Sequence, residues 1–281
     1  MNNYIFKVCR VHNINDLNMC LKNKVNMIGI HALYIDRDKY LTKEPKLGAV
    51  EIKQKIDETL PLASYEIASI KNMQKYIPKN VKEVILFQKT MDIKKIKQCC
   101  EIYDIFKNDF YIQLHHRVTK KYIDSIKTSI TKNVIATIGL FQDDFEEYFS
   151  KIQNILNPKT DYILIDLSIH QTDLSEYEMN CNKLKKLKSI LKIIENNKVP
   201  IILADDTTVK KMEKYLNEIK KYNIMIKGLD MQNAVEVPKS MQKYSILNKK
   251  GEIIQIKKRK SSIKLKKWNI FFKEKSNIYF S

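Results

Sequence analysis

Apolar residues occur along this chain of 281 residues in short runs, which are separated by longer stretches whose apolar positions have helical spacing. Continuous apolar runs of a few residues are typical of strands that are buried on both faces of a parallel sheet. The pattern predicts eight such strands, at residues 4–11, 26–32, 83–87, 110–115, 134–138, 162–167, 200–204 and 224–231. The stretches between them predict helices at residues 14–22, 49–58, 64–75, 91–103, 119–128, 145–156, 175–196 and 207–221.

Eight alternations of strand and helix over residues 1–245 are what an α/β fold of the (β/α)8 type, the TIM barrel, requires. The same alternation is compatible with an open, doubly wound parallel sheet, in which the first and last strands do not pair. We expect the barrel. Its catalytic side chains would then lie at the carboxyl ends of the strands and in the loops that follow them.

The pattern changes after residue 245, and we predict that residues 246–281 form a basic, β-rich C-terminal appendage. The sequence SILNKKGEIIQIKK has two apolar runs around Asn-Lys-Lys-Gly, which indicates a β-hairpin. From residue 248 onward there are eleven Lys or Arg and two Glu, so the appendage carries nine of the nineteen net positive charges. Its interleaved aromatic residues suit either single-stranded nucleic acid or an anionic membrane, or strands that pack on the barrel. We expect the packed strands.

Composition excludes several classes of protein. Only four of the 51 basic residues are Arg, so the charge of +19 is weak evidence for a nucleic-acid partner. No two of the five glycines lie within ten positions of each other, which excludes the glycine-rich nucleotide-binding loops. Five cysteines without a CxxC pair argue against a disulfide framework or a zinc ribbon, and no apolar stretch of about 18 residues occurs. We expect a cytoplasmic protein with no cofactor, no metal and no membrane association.

Polar residues at the predicted strand ends are the candidates for chemistry. Period-two alternation places Lys7 and Cys9 on one side of the first strand, so an inward Cys9 would have a lysine beneath it. The full set of candidates is Lys7, Cys9, Arg10, Arg37, Gln113, His115, Asp166, Asp205, Asp206, Asp230, Gln232 and Asn233.

Seven segments in order resemble the phosphoribosylanthranilate isomerase family over roughly residues 4–240. The opening FKVCRVHNINDL is similar to the family's Lys-x-Cys-Gly strand and the acidic helix start that follows it. IQLHH is similar to the family's Gln-Leu-His-Gly, PIILADDT to its Leu-Ala-Gly-Gly-Leu, and LDMQNAVEV to its Val-Asp-Val-Ser-Ser-Gly-Val-Glu. The other three segments are NMIGI, EVILFQ and DYILIDLS.

The resemblance implies an Amadori rearrangement, in which an aminoaldose becomes an aminoketose. A general acid opens the sugar ring to a Schiff base, and a general base removes the proton from carbon 2. The family's base and acid correspond to Cys9 and Asp166 here. A thiolate base requires a nearby cation, which Lys7 or Arg10 could supply, and Arg10 stands where the family has glycine. Cys9 is otherwise interpretable as a small apolar core residue.

Departures from the family concern the phosphate site. The family binds its substrate phosphate on glycine-rich loops after strands seven and eight, whereas this chain has Asp205 and Asp206 in the first loop and Gln232 and Asn233 in the second. A carboxylate about 4 Å from a phosphate costs on the order of 4 kcal/mol per pair of unit charges at an effective dielectric constant of ~20. One of the two aspartates is also interpretable as the cap of the helix that begins near Thr208. Arg37 corresponds to the family's arginine for the anthranilate carboxylate.

Three functions are compatible with these observations. The first is an isomerase, an intramolecular oxidoreductase of biosynthesis, whose small-molecule substrate is not the phosphorylated intermediate of the tryptophan pathway. The second is a catalytically inactive barrel that serves as a binding or assembly protein. The third is a phosphoribosylanthranilate isomerase in which a metal or lysines of the appendage rebuild the anion site. We expect the first of these, an isomerase that is a monomer or homodimer, without a nucleic-acid partner.

Overall fold

The computed structural model describes the greater part of the chain. The described residues are 4–11, 13–31, 70–87, 92–102, 110–115, 118–167, 176–222, 224, 226–236, 244–247, 253–257 and 260–280. The helix predicted at 49–58 lies outside these residues, and of the helix predicted at 64–75 the described part is helical at 70–74.

Eight parallel strands form a closed barrel, as the sequence predicted. They are β1 (Ile5–Val8), β2 (Met27–His31), β3 (Lys82–Phe87), β4 (Phe110–Leu114), β5 (Asn133–Gly139), β6 (Tyr162–Asp166), β7 (Ile201–Ala204) and β8 (Ile226–Met231). Each strand pairs in parallel with the next, and β1 pairs with β8 over Ile5–Val8. This last pairing excludes the open, doubly wound sheet.

Helices follow the strands on the outside of the barrel. Their bounds are α1 (Ile14–Lys22), α2 (Ile93–Ile102), α3 (Lys120–Ser129), α4 (Phe145–Gln153), α5 (Glu176–Ile194) and α6 (Val209–Ile219). Threonine and asparagine begin several of them: the side chains of Asn13, Thr119 and Thr208 accept hydrogen bonds from backbone N–H groups of the first turn.

Alternation along each strand divides the core into two layers. One layer fills the barrel interior and consists of Ile5, Met27, Val84, Tyr111, Ile135, Tyr162, Leu164 and Ile202. The other lies between the sheet and the helices and includes Phe6, Val8, Ile28 and Ile85. Because neighbouring residues point to opposite faces, a polar residue two positions beyond an interior residue points into the mouth of the barrel at its carboxyl end.

The C-terminal segment differs in part from the expectation. The hairpin is confirmed, since β9 (Tyr244–Leu247) pairs antiparallel with β10 (Ile253–Lys257). The remainder is not strand but an 18-residue helix, α7 (Ser262–Tyr279), whose first turn is capped by the Ser261 side chain. The spacing of Leu265, Trp268 and Phe272 gives the physical reason, because it places three buried side chains on one helical face.

Helix α7 occupies the eighth helical position of the barrel. It packs against α1 and α6, and the Phe272 ring lies 4.6 Å from Tyr4 and 4.7 Å from Phe6 between ring centroids. The expected boundary between 1–245 and 246–281 therefore falls inside the connection between β8 and its helix. Residues 262–279 belong to the barrel, and the hairpin is an insertion in its last βα connection.

A buried polar network joins the two ends of this insertion. Glu236 and Lys260 form an antiparallel bridge, and their side chains form a salt bridge with Nζ and Oε1 3.0 Å apart. The Lys260 backbone N–H also donates to Oδ1 of Asp16 in α1. The network fixes the start of α7 beside the loop that follows β8.

Candidate active site

A lysine, a cysteine and an aspartate meet inside the mouth of the barrel. Lys7 Nζ lies 2.7 Å from Cys9 Sγ and 2.5 Å from Asp230 Oδ2, and Cys9 Sγ lies 3.4 Å from the same carboxylate oxygen. All three residues are buried, and Lys7 is not exposed at all. The structure thus places the lysine beside an inward Cys9, as the alternation in β1 predicted.

The register of the barrel brings these residues together. Lys7 in β1 is directly opposite Asp230 in β8, and the backbone N–H of Cys9 donates to the carbonyl of Met231. Gly29 in β2 leaves the space that the thiol occupies, because a Cβ at this position would lie 2.7 Å from Cys9 Sγ. A glycine in the middle of β2 is therefore required by the site rather than by the strand.

The electrostatics of the cluster act on the Cys9 thiol in both directions. Burial, and after it the charge of Asp230, raise the pKa of this thiol to about 12, while Lys7 lowers it. Lys7 thus lies where a cation favours the thiolate, but in the unliganded site the effect of burial on the thiol pKa is larger. Burial lowers the pKa of Lys7, but the attraction of Asp230 and Cys9 is larger in sum and the pKa is raised.

Arg10, directly after Cys9, has a backbone conformation that is unusual for a residue with a side chain. The charges that act on the Cys9 thiol are those of Asp230 and Lys7. Arg10 itself has a φ of 58°, in the left-handed region that favours glycine. Arg10 thus adopts, under strain, a backbone conformation that glycine adopts freely.

Gln113 points into the barrel from β4. Its side-chain Nε2 is 2.8 Å from His115 Nε2 and 3.3 Å from Thr137 Oγ1, and its side chain is fully buried. His115 is exposed at the end of the strand. The sequence predicted Gln113 and His115 but not Thr137, which occupies an interior position two residues after Ile135.

Asp166 ends β6 on the interior face. Leu164, two positions earlier, belongs to the interior layer, and Asp166 is paired in register with Ala204 of β7, which in turn is opposite Asp230. The side chain is half-buried. Cys9 and Asp166 thus both lie at the carboxyl end of the barrel on its inner side, neither facing the outer helices.

The two aspartates after β7 do not cap α6, contrary to one interpretation. Thr208 caps this helix, with its side chain accepting from the Lys211 N–H. Asp205 is buried and pairs with Lys183 of α5, Nζ to Oδ1 2.6 Å, and burial raises its pKa. Lys183 was not among the predicted residues. The alternation in β7 indicates the outward direction of Asp205, because Ala204 points inward.

Asp206 instead binds the loop after β8. Its Oδ1 accepts from the backbone N–H groups of Gln232 and Ala234, each at 3.2 Å. These residues begin the short 3-10 turn Asn233–Val235. The Gln232 carbonyl accepts from Lys260 Nζ at 3.4 Å, so the loop is held from both sides. The backbone N–H and carbonyl of Gln232 are thus both engaged within the protein.

Arg37 and the loop after β6, residues 168–175, lie outside the described residues. Among the residues that the structure describes, no group of three or more His, Cys, Asp or Glu is arranged to hold a metal ion. In the same part of the chain, no helix is both long enough and apolar enough to cross a membrane.

Fold and site together define a (β/α)8 barrel with a polar, thiol-containing mouth. No protein-family model and no curated protein matches the chain. Among solved structures, N-(5'-phosphoribosyl)anthranilate isomerase from Pyrococcus furiosus is similar, with a TM-score of 0.56, 12% identity and coverage of 96% of this chain and 99% of that one. A mutant tryptophan synthase α-subunit from a hyperthermophile, Pyrococcus furiosus, has a TM-score of 0.50 at 7% identity, covering 83% of this chain and 88% of that one. These similarities show the barrel fold.

Proposed function

We propose that this chain is an isomerase that carries out an Amadori-type aldose-to-ketose rearrangement of an aminosugar. The observation that carries the proposal is the buried Lys7, Cys9 and Asp230 cluster at the carboxyl end of the barrel. A buried cation, thiol and carboxylate within hydrogen-bond reach of each other can pass a proton among themselves and accept one from a bound substrate. The similarity to solved isomerase and synthase barrels supports the fold on which this chemistry would occur.

Proton transfer inside the cluster offers a route to the thiolate despite its raised pKa. The thiol proton passes from Cys9 Sγ to Asp230 Oδ2 over 3.4 Å, and Lys7 at 2.7 Å then stabilises the thiolate. The net charge of the cluster does not change in this step, so the cost of adding a charge to a buried site is avoided.

The reaction then needs one acid and one base. Asp166 donates a proton to the ring oxygen as the bond from carbon 1 to this oxygen breaks, which leaves a Schiff base. The Cys9 thiolate removes the proton from carbon 2, and the electron pair moves to the nitrogen to give an enolamine. Tautomerisation places a proton on carbon 1 and releases one from the carbon 2 hydroxyl. The proton that Asp230 accepted from Cys9 then passes to Asp166 through solvent, which returns Cys9, Asp230 and Asp166 to their starting protonation states.

Conversion of aldosylamines to ketosylamines tests this proposal. A panel of unphosphorylated and phosphorylated glycosylamines is incubated with the wild type, with Cys9→Ser and with Asp166→Asn, and the products are followed by NMR. We expect at least one unphosphorylated compound to be converted, with a loss of 10²-fold or more in each variant. Cys181→Ser, which removes an exposed thiol, is the matched control and should retain full activity.

A barrel that binds its ligand without catalysis is the second candidate, and the raised pKa of Cys9 favours it. In that case no compound of the panel is converted, and the wild type and Cys9→Ser behave alike in turnover. The same outcome would overturn the isomerase proposal.

A further inference from the structure

Two buried acceptors in the mouth have no donor among the residues that the structure describes. They are Oδ1 of Asp230 and Oε1 of Gln113, whose other side-chain atoms are engaged by Lys7 and by His115 and Thr137. Asp230 is 6% exposed and Gln113 is not exposed. Buried acceptors without donors are rare in proteins because they lose their bonds to water. Both lie on interior positions at the carboxyl ends of their strands, so they point into the mouth of the barrel.

A separate observation concerns the anion that barrels commonly bind at the loops after strands seven and eight. Here the two converging N–H groups, of Gln232 and Ala234, are already occupied by the Asp206 carboxylate. An incoming phosphate would have to displace a negative charge of this chain and would remain beside it. The mouth therefore has hydrogen-bond acceptors that a ligand could use, on Asp230 and Gln113, whereas the backbone N–H groups that could bind an anion are already engaged by Asp206.

We infer that the ligand of this mouth is a polyhydroxylated amine without a phosphate group, and that Asp206 is the residue that excludes phosphate esters. This inference rests on the proposed function in that it assigns the substrate class of the same site. Hydroxyl and ammonium groups supply the donors that Asp230 and Gln113 lack, and a cationic amine matches the carboxylate of Asp230. The Asp206 carboxylate takes the place of a bound anion, because it accepts the hydrogen bonds of the Gln232 and Ala234 backbone N–H groups.

Binding measured without turnover tests the inference and separates its failure from that of the proposed function. Protein labelled with 15N is titrated with glucosamine and, separately, with inorganic phosphate at constant ionic strength. In the wild type, glucosamine should shift the Gln113 side-chain amide, and phosphate should leave the Gln232 and Ala234 amides unchanged. Gln113→Met, which keeps the shape and removes the acceptor, should weaken glucosamine binding at least fivefold.

Variants at Asp206 complete the experiment. Asp206→Gly should bind phosphate at least tenfold more tightly than the wild type, with shifts at Gln232 and Ala234. Asp124→Asn makes the same change in net charge on an exposed face of α3 and should bind phosphate no more tightly than the wild type. The inference is overturned if phosphate shifts the Gln232 and Ala234 amides of the wild type, or if saturating glucosamine leaves the Gln113 amide unchanged. It is also overturned if a folded Asp206→Gly binds phosphate no more tightly than the wild type, or if Asp124→Asn gains as much phosphate affinity as Asp206→Gly. If Asp206→Gly does not fold, the wild-type titrations decide.

Discussion

The buried environment of Cys9 favours the protonated form of its thiol. Its thiol pKa is about 12 in the folded chain, against an ordinary value of 9.0, because burial disfavours the thiolate. Below pH 9 the thiol is protonated in both the folded and the unfolded chain, so its full contribution to stability is present. Between pH 9 and 12 the unfolded chain releases the proton and the folded chain keeps it, so this contribution is lost as the pH rises.

We therefore predict that stability falls more steeply above pH 9 in the wild type than in Cys9→Ser. The difference should grow by up to about 1.4 kcal/mol for each pH unit above pH 9. Urea unfolding at pH 8, 10 and 11 measures it, and comparison with Cys9→Ser cancels the other buried cysteines. A constant difference between the two proteins across this pH range would show that the thiol titrates normally in the folded state.

The left-handed backbone conformation of Arg10, with a φ of 58°, lowers the stability of the folded chain. A non-glycine residue in the left-handed region is strained by about 1 kcal/mol. We predict that Arg10→Gly raises the free energy of unfolding by about 1 kcal/mol, as measured by denaturant titration. Lys24→Gly is the matched control, since Lys24 has a φ of 63° in the turn after α1 and should give a similar gain. A loss of stability in Arg10→Gly alone would mean that the arginine side chain makes contacts that outweigh its backbone strain.

Among the elements, α7 gives the clearest test of the fold. The Phe272 ring is fully buried and stacks on Tyr4, at an interplanar angle of 12°, while Ile270 on the same helix is 45% exposed. We predict that Phe272→Ala costs about 3–5 kcal/mol of stability, as is typical of buried aromatic residues, and that Ile270→Ala changes it by about 0.5 kcal/mol or less. Thermal and urea unfolding of both variants measure the difference, and equal effects would contradict the placement of α7 as the eighth helix of the barrel.

Strands and helices can be predicted from the sequence where the pattern that defines them lies within the element itself. Strands such as β3 and β6 are continuous apolar runs, and their ends agree with the prediction to within a residue because burial on both faces leaves no ambiguity. Helix α7 lies where strands were predicted, because the lysines and aromatic residues of this segment interleave and so resemble the alternation of a strand. The positions of Leu265, Trp268 and Phe272 have spacings of three and four, which are helical.

At the scale of the whole molecule, closure of the barrel determines which residues meet. Lys7 below Cys9 could be predicted, because both lie on one strand and the period of two is fixed. The contact with Asp230 could not, since it depends on the pairing of β1 with β8, 223 residues apart. The attachment of Asp206 to the β8 loop likewise depends on the distance between two loops that only the closed barrel brings together.

Exchange of the carbon 2 hydrogen of an aminosugar with solvent is the decisive measurement for Cys9 as a base, because it detects removal of this proton even when the full rearrangement is slow. Unphosphorylated glycosylamines are incubated in D2O with the wild type, Cys9→Ser and Cys181→Ser, and deuterium at carbon 2 is followed by 1H NMR. We expect exchange by the wild type and by Cys181→Ser, and a loss of 10²-fold or more in Cys9→Ser. Exchange that is absent from the wild type, or that continues undiminished in Cys9→Ser, would contradict this role of Cys9.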